Sequence, residues 1–222
     1  MKPFLLFAIG LIPLMSFAEP FDYNFEDLVY DVDSQEYKKV LNSYIDQTSK
    51  EDDKYYAYYL LGMGAVYRGD EDTGVAFYNK VINHTSLQSS YQGRGLIIMS
   101  RSQLLILGGF KAMLREGRDL AQDIENYWKE DPSNPMATLM FSHSIMNMPK
   151  FMGGDPDRAI KLLLANKAAF PQSKVWKFEV NLALSKGYDK IKEEDKSMEY
   201  LQKAKALYPH NPKLIRWEKD RK

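Results

Sequence analysis

The chain has no cysteine among its 222 residues, and that absence closes several routes at once. It rules out disulfides, a thiolate nucleophile, cysteine-ligated zinc and a lipid attached through cysteine. Histidine is scarce: His84, His143 and His210 lie far apart, and none has the His or acidic partner of a helical H-E-x-x-H zinc site. Net charge is missing too, since 30 Lys and Arg balance 30 Asp and Glu. A chain so balanced has no overall pull toward nucleic acid or an anionic membrane, and no nucleic-acid-binding motif is present. No Gly-x-Ser-x-Gly elbow occurs, and no Gly-Lys-Ser/Thr follows the isolated glycines Gly62-Met63-Gly64, Gly108-Gly109 and Gly153-Gly154. They read as turn and close-packing glycines. Asp31-Val32-Asp33 lacks the glycine and distal glutamate of a calcium loop and reads as helix capping. Glu193-Glu194-Asp195 sits where a helix start favours acidic residues. No catalytic constellation emerges, and neither a metal nor a cofactor is expected.

What is present is an ordinary globular balance, 45% hydrophobic and 27% charged. Lys2, the apolar run Phe4 to Met15 and the small-x-small step Ser16-Phe17-Ala18 form a secretory signal pattern. The run is shorter than the roughly 20 residues that span a bilayer, and Pro13 interrupts it. Residues 1–18 are therefore expected to be a signal peptide, cleaved near Ala18-Glu19, giving a periplasmic or secreted chain without stable membrane insertion. Glu19 to Asp53 holds eleven acidic residues against three lysines, whereas Lys174 to Lys222 holds thirteen basic against eight acidic. Solvated helix faces account for this asymmetry.

Helical periodicity runs through most of the chain beyond the signal. Asp33-Ser34-Gln35-Glu36 has capping-box spacing ahead of Tyr37, Val40, Leu41, Tyr44 and Ile45, predicting a first helix over about 33–48. Asp53 to Tyr67 and Thr73 to Ile82 predict two helices joined at Arg68-Gly69-Asp70. This hairpin recurs. Tyr58-x2-Leu61-Gly62-x2-Ala65 precedes Gly74-x3-Tyr78; Leu104-x2-Leu107-Gly108-x2-Lys111 precedes Leu120-x3-Ile124. Thr138-x2-Phe141-Ser142-x2-Ile145 precedes Ala159-x3-Leu163, and Asn181-x2-Leu184-Ser185-x2-Tyr188 precedes Ser197-x3-Leu201. The distance from first marker to second-helix small residue is sixteen in copies one, two and four, and twenty-one in copy three. Five residues are thus inserted before Asp155. Ser86 to Ser100 lies outside the period, as an extra helix or as a lengthened helix broken near Gly108-Gly109. Asn134-Pro135, Asp155-Pro156 and Asn211-Pro212 each place a capping side chain before a proline that needs no amide partner. The last begins a terminal helix over about 211–221, whose basic residues, among them Lys213, Arg216 and Lys219, suit a polar outer cap.

These markers resemble the tetratricopeptide repeat, whose pattern has an aromatic, Leu-Gly and Tyr on the first helix and Ala, Phe and Pro on the second. The resemblance covers about 55–209. It implies an all-α, right-handed solenoid of about four hairpins with capping helices, filling 19–222 as a single domain. In that family the first helices line a concave groove, so the resemblance implies Tyr59, Met63, Leu139, His143, Met146 and Lys186 as groove residues. The alternative is that this Tyr/Met stripe is simply core. The expected function is non-catalytic: an exported scaffold or adaptor for a protein or peptide partner. The other reading is a ligand-binding accessory component of a periplasmic solute-uptake system, holding a small apolar ligand. Phe151 and Met152 either form an exposed contact tip or fold back onto their hairpin, and the flanking Gly153-Gly154 and Asp155-Pro156 favour folding back.

Overall fold

The computed structural model describes residues 25–221. The expected signal segment and cleavage point lie outside them. The described residues form ten α-helices and no strand: α1 Phe25–Tyr30, α2 Tyr37–Gln47, α3 Glu51–Tyr67, α4 Glu71–Ile82, α5 Tyr91–Glu130, α6 Pro135–Asn147, α7 Pro156–Ala165, α8 Lys174–Lys190, α9 Glu194–Lys205 and α10 Pro212–Asp220. The fold is all-α.

Three antiparallel hairpins, α3/α4, α6/α7 and α8/α9, are closed by one recurring device. The Asp70 amide donates to the Ala65 carbonyl at 3.0 Å, Asp155 to Ile145 at 2.8 Å and Glu193 to Tyr188 at 2.9 Å. Each acceptor is the last first-helix marker of its sequence copy. The helices cross where the markers are small. A Cβ at Gly62 would stand 3.2 Å from the Gly74 carbonyl oxygen, and one at Gly74 would stand 3.1 Å from that of Gly62. Both distances are tighter than ordinary packing tolerates. Ser142 and Ala159 occupy the equivalent crossing of α6/α7 and are fully buried. Ser185 and Ser197 occupy that of α8/α9, where the Ser197 hydroxyl donates to the Ser185 carbonyl at 2.9 Å. The turn before the second helix is left-handed at Gly69 (φ 85°) and also at Lys192 (φ 64°), a conformation that glycine adopts freely and lysine does not.

The Asp155 bond shows how the insertion is accommodated. Ile145 pairs directly with Asp155, and the intervening residues leave the hairpin as a short 3-10 turn, Lys150–Met152. That turn is held by its own bonds, Met152 and Gly154 amides to the Pro149 carbonyl at 2.9 and 3.1 Å. A side chain at Gly154 would collide with the Met148 carbonyl. Phe151 and Met152 do not fold back: they are 88% and 42% exposed. The hairpin is closed without them, by the Asp155–Ile145 bond.

Other expectations are corrected locally. The capping box at Asp33 does not form, because α2 begins later and its preceding residue, Glu36, makes no side-chain cap bond. Copy two is not a hairpin in the expected register, since α5 is helical from Lys111 to Leu120 and its break falls earlier, at Gly109 (φ 65°, ψ −151°). Residues 91–130 are instead a lengthened helix broken at that glycine. All three Asn/Asp-Pro starts cap as read: Asn134 accepts from the Ala137 amide at 3.1 Å, Asp155 from Arg158 at 2.9 Å and Asn211 from Lys213 at 3.0 Å.

The chain divides into two compact units. One comprises the described residues up to Leu104 together with those from His210 onward; the other is Leu105–Pro209. In the second, Trp128 of α5 stacks on Phe141 of α6 with centroids 4.4 Å apart, and the Arg158 guanidinium lies 5.2 Å over Phe141. Trp176, Phe178, Leu184 and Leu163 fill its interior. In the first, α10 rejoins the N-terminal helices: Leu214 is buried, and Lys213, expected on an outer face, is buried with its ammonium 5.6 Å over the Tyr30 ring.

Arg68, at the α3/α4 turn, ties that unit together. Its guanidinium donates to the carbonyls of Asp31 at 2.8 Å, Ser34 at 2.6 Å and Gly64 at 3.1 Å, and lies 4.1 Å over the Tyr37 ring. The α1–α2 connection, which lacks its own cap, is shaped by this cation. Nearby, the buried Glu26 accepts from the Tyr56 hydroxyl at 2.6 Å. Burial pushes the Glu26 carboxyl above its ordinary 4.5, outweighing the opposing effect of the Tyr56 hydrogen bond.

Arg68→Ala is expected to lower the unfolding free energy by about 3 kcal/mol in urea titrations, because its charged hydrogen bonds to the Asp31, Ser34 and Gly64 carbonyls are lost. Arg68→Lys recovers only part, lacking the planar fork. Because the folded state holds the Glu26 proton more tightly than the unfolded chain, its contribution is complete below pH 4.5 and is lost as pH rises through the raised folded value. Glu26→Gln should therefore flatten the fall of stability with pH above that point, measured by thermal melts across the acid range.

Candidate binding site

Five of the six residues implied by the repeat resemblance occupy equivalent positions on first helices, and Met146 lies about one turn beyond His143. Counting from the crossing residue of each hairpin, Tyr59 and Met63 of α3 correspond to Leu139 and His143 of α6, and His143 to Lys186 of α8. Leu139, His143 and Met146 recur at helical intervals and form one stripe. All six are buried, from 0 to 4% exposed, and so present no open surface. Burial is what the core alternative predicts for such a stripe.

Within the second unit the structure brings part of this set together. A Cβ placed on Gly187, the neighbour of Lys186, would stand 3.1 Å from the Met146 methyl, so the α6 stripe packs against α8 at that point. Sequence reasoning missed Glu179, which is 1% exposed. It lies two helical turns before Lys186 on the same face of α8, and that acid–base spacing within an apolar helix was the available signal. Ionisable groups are rarely fully buried unless they are paired, and Glu179, Lys186 and His143 all engage other groups of the protein. Chemically, α6 and α8 thus offer an imidazole, an ammonium and a carboxylate within otherwise apolar helix faces.

Tyr59 lies in the first unit, where its ring is 5.7 Å from that of Tyr78 and its hydroxyl accepts from Gln103 Nε2 at 3.5 Å. The same unit holds a polar chain not visible in the sequence, built from α3 and the turn after α4. The Tyr55 hydroxyl is 2.8 Å from His84 Nδ1, His84 Nε2 is 3.3 Å from Glu51 Oε1, and the Ser86 hydroxyl donates to Glu51 Oε2 at 2.6 Å. Chiefly through the Ser86 bond, the Glu51 carboxyl is held below its ordinary range. This arrangement fastens the turn at residues 84–86 to the start of α3. No cluster of three or more His, Cys, Asp or Glu suited to a metal ion occurs among the described residues.

The remaining expected contacts, Phe151 and Met152, project from the α6/α7 turn. No family model matches this chain, and neither the curated proteins nor the solved structures contain a match to it.

Leu139→Ala is expected to lower the unfolding free energy by about 2–5 kcal/mol, as for a buried leucine. Phe151→Ser should change it by less than about 0.5 kcal/mol, as for an exposed site. Denaturant titration of both variants separates the packing role from the surface role.

Proposed function

We propose that the chain is a non-catalytic binding protein of the tetratricopeptide-repeat type, exported to the cell envelope and acting there as a scaffold or adaptor for a protein or peptide. The observation that carries the reading is the threefold recurrence of one hairpin, with the same closing bond and the same small-residue crossing at the marker positions. Hairpins that share a register stack into extended binding surfaces, and a single hairpin cannot bury its own apolar face. The exposed Phe151 and Met152 supply a contact tip whose conformation the hairpin closure fixes in advance. Export rests on the signal pattern of residues 1–18.

The second reading is the accessory ligand-binding component, and its support is the ionisable set His143, Lys186 and Glu179 on α6 and α8. These groups match a mainly apolar small molecule with one polar end, which would have to open the packed α6/α8 face to reach them.

Affinity purification of the exported protein, with mass spectrometry of bound proteins and small molecules, decides between them. A reproducible protein partner lost in a Phe151→Ser, Met152→Ser variant is the expected outcome. A reproducible small ligand without a protein partner overturns the scaffold and supports the second reading. Deleting residues 1–18 should abolish delivery to the envelope, and unchanged delivery would overturn export.

A further inference from the structure

The stretch of α5 after its break carries a surface that the repeat pattern does not explain. The buried face of this segment comprises Gly117, Leu120, Ala121 and Ile124. At about 100° per residue, Phe110, Met113 and Leu114 continue that face toward the N-terminal end of the segment. There it runs out of partners: Phe110 is 59% and Leu114 72% exposed, and Met113 is half-buried. On one flank of that face stand the exposed Lys111 and Arg118. Arg115 lies nearly opposite the apolar face, beside Asp119, and is paired with Glu116 at 2.6 Å.

By length and composition α5 is the one described helix that could cross a membrane, and 39% of its most apolar window is buried. It does not form one straight span, because Gly109 breaks it at φ 65° immediately before Phe110. What remains is a short amphipathic segment with an apolar face and a cationic flank.

We propose that Phe110 to Arg118 docks this protein peripherally on an anionic lipid bilayer, with Phe110, Met113 and Leu114 entering the interface and Lys111 and Arg118 at the headgroups. Lipid is favoured over a protein on two grounds. Three apolar side chains fall far short of the roughly 800 Å² per partner that a standard protein interface buries, whereas interfacial helices hold by few inserted side chains plus charge. The cationic flank adjoining the apolar face is complementary to acidic headgroups. Such docking is distinct from the stable insertion that the composition argues against.

The test is flotation of the purified chain with vesicles of phosphatidylcholine alone or mixed with phosphatidylglycerol. All variants keep the same N-terminus as the wild type, so any contribution of residues 1–18 cancels. Binding is expected to the mixed vesicles and to weaken with salt. Phe110→Ser, Leu114→Ser should reduce it at least about tenfold. Lys111→Glu, Arg118→Glu should reduce it about tenfold and remove the salt dependence. Circular-dichroism melts check that these surface variants fold. Equal binding to both vesicle types, absence of binding, or loss in Phe151→Ser equal to that in the patch variants overturns the proposal. So does a wild-type dimer that Phe110→Ser, Leu114→Ser turns into a monomer, which would assign the patch to a second copy.

Discussion

Two helices can approach as closely as those of these hairpins only where the crossing point carries small residues, and that constraint governs the fold. At Gly62 and Gly74 the crossing is tight, because a Cβ on either would stand 3.2 or 3.1 Å from the carbonyl oxygen of the other. At Ser185 and Ser197 the crossing admits a small side chain, and the Ser197 hydroxyl donates to the facing Ser185 carbonyl. Once the crossing is fixed, the lengths of both helices determine where the chain turns. The amide five residues past the last first-helix marker then falls onto its carbonyl, Asp70 onto Ala65 and Glu193 onto Tyr188. Core residues such as Leu61, Tyr78, Leu163 and Leu201 fill the wedges on either side of the crossing.

This constraint explains what could be read from residues alone. Small residues at fixed separation, the Asn/Asp-Pro starts and the five-residue excess before Asp155 are local and steric, and all reappear in the structure. Arg68 is different: its acceptors on Asp31 and Ser34 are distant in the chain, and nothing near it in sequence marks it as the support of the α1–α2 connection. The same holds for His84, whose carboxylate and phenol partners come from a neighbouring helix. Copy two failed for another reason. Leu107-Gly108 matched the marker pair, but the glycine that breaks the helix is its neighbour Gly109, so the pattern fell astride a break instead of within a first helix.

The proposed site was legible as a set of equivalent positions but not as a surface. Periodicity states which residues share a helix face, and Leu139, His143 and Met146 do; it does not state what lies opposite that face. Equivalent positions change chemistry along the chain, from Met63 to His143 to Lys186, while the flanking packing residues stay apolar.

The α6/α7 turn separates two properties that usually trade against each other. Because Asp155 closes on Ile145 as though nothing intervened, the excursion between them can change in length or content without shifting the register of either helix. It is in effect a mounting point: a place where this architecture can acquire a new peptide epitope, or lose one, through insertion and deletion alone, leaving every other hairpin unaware of the change.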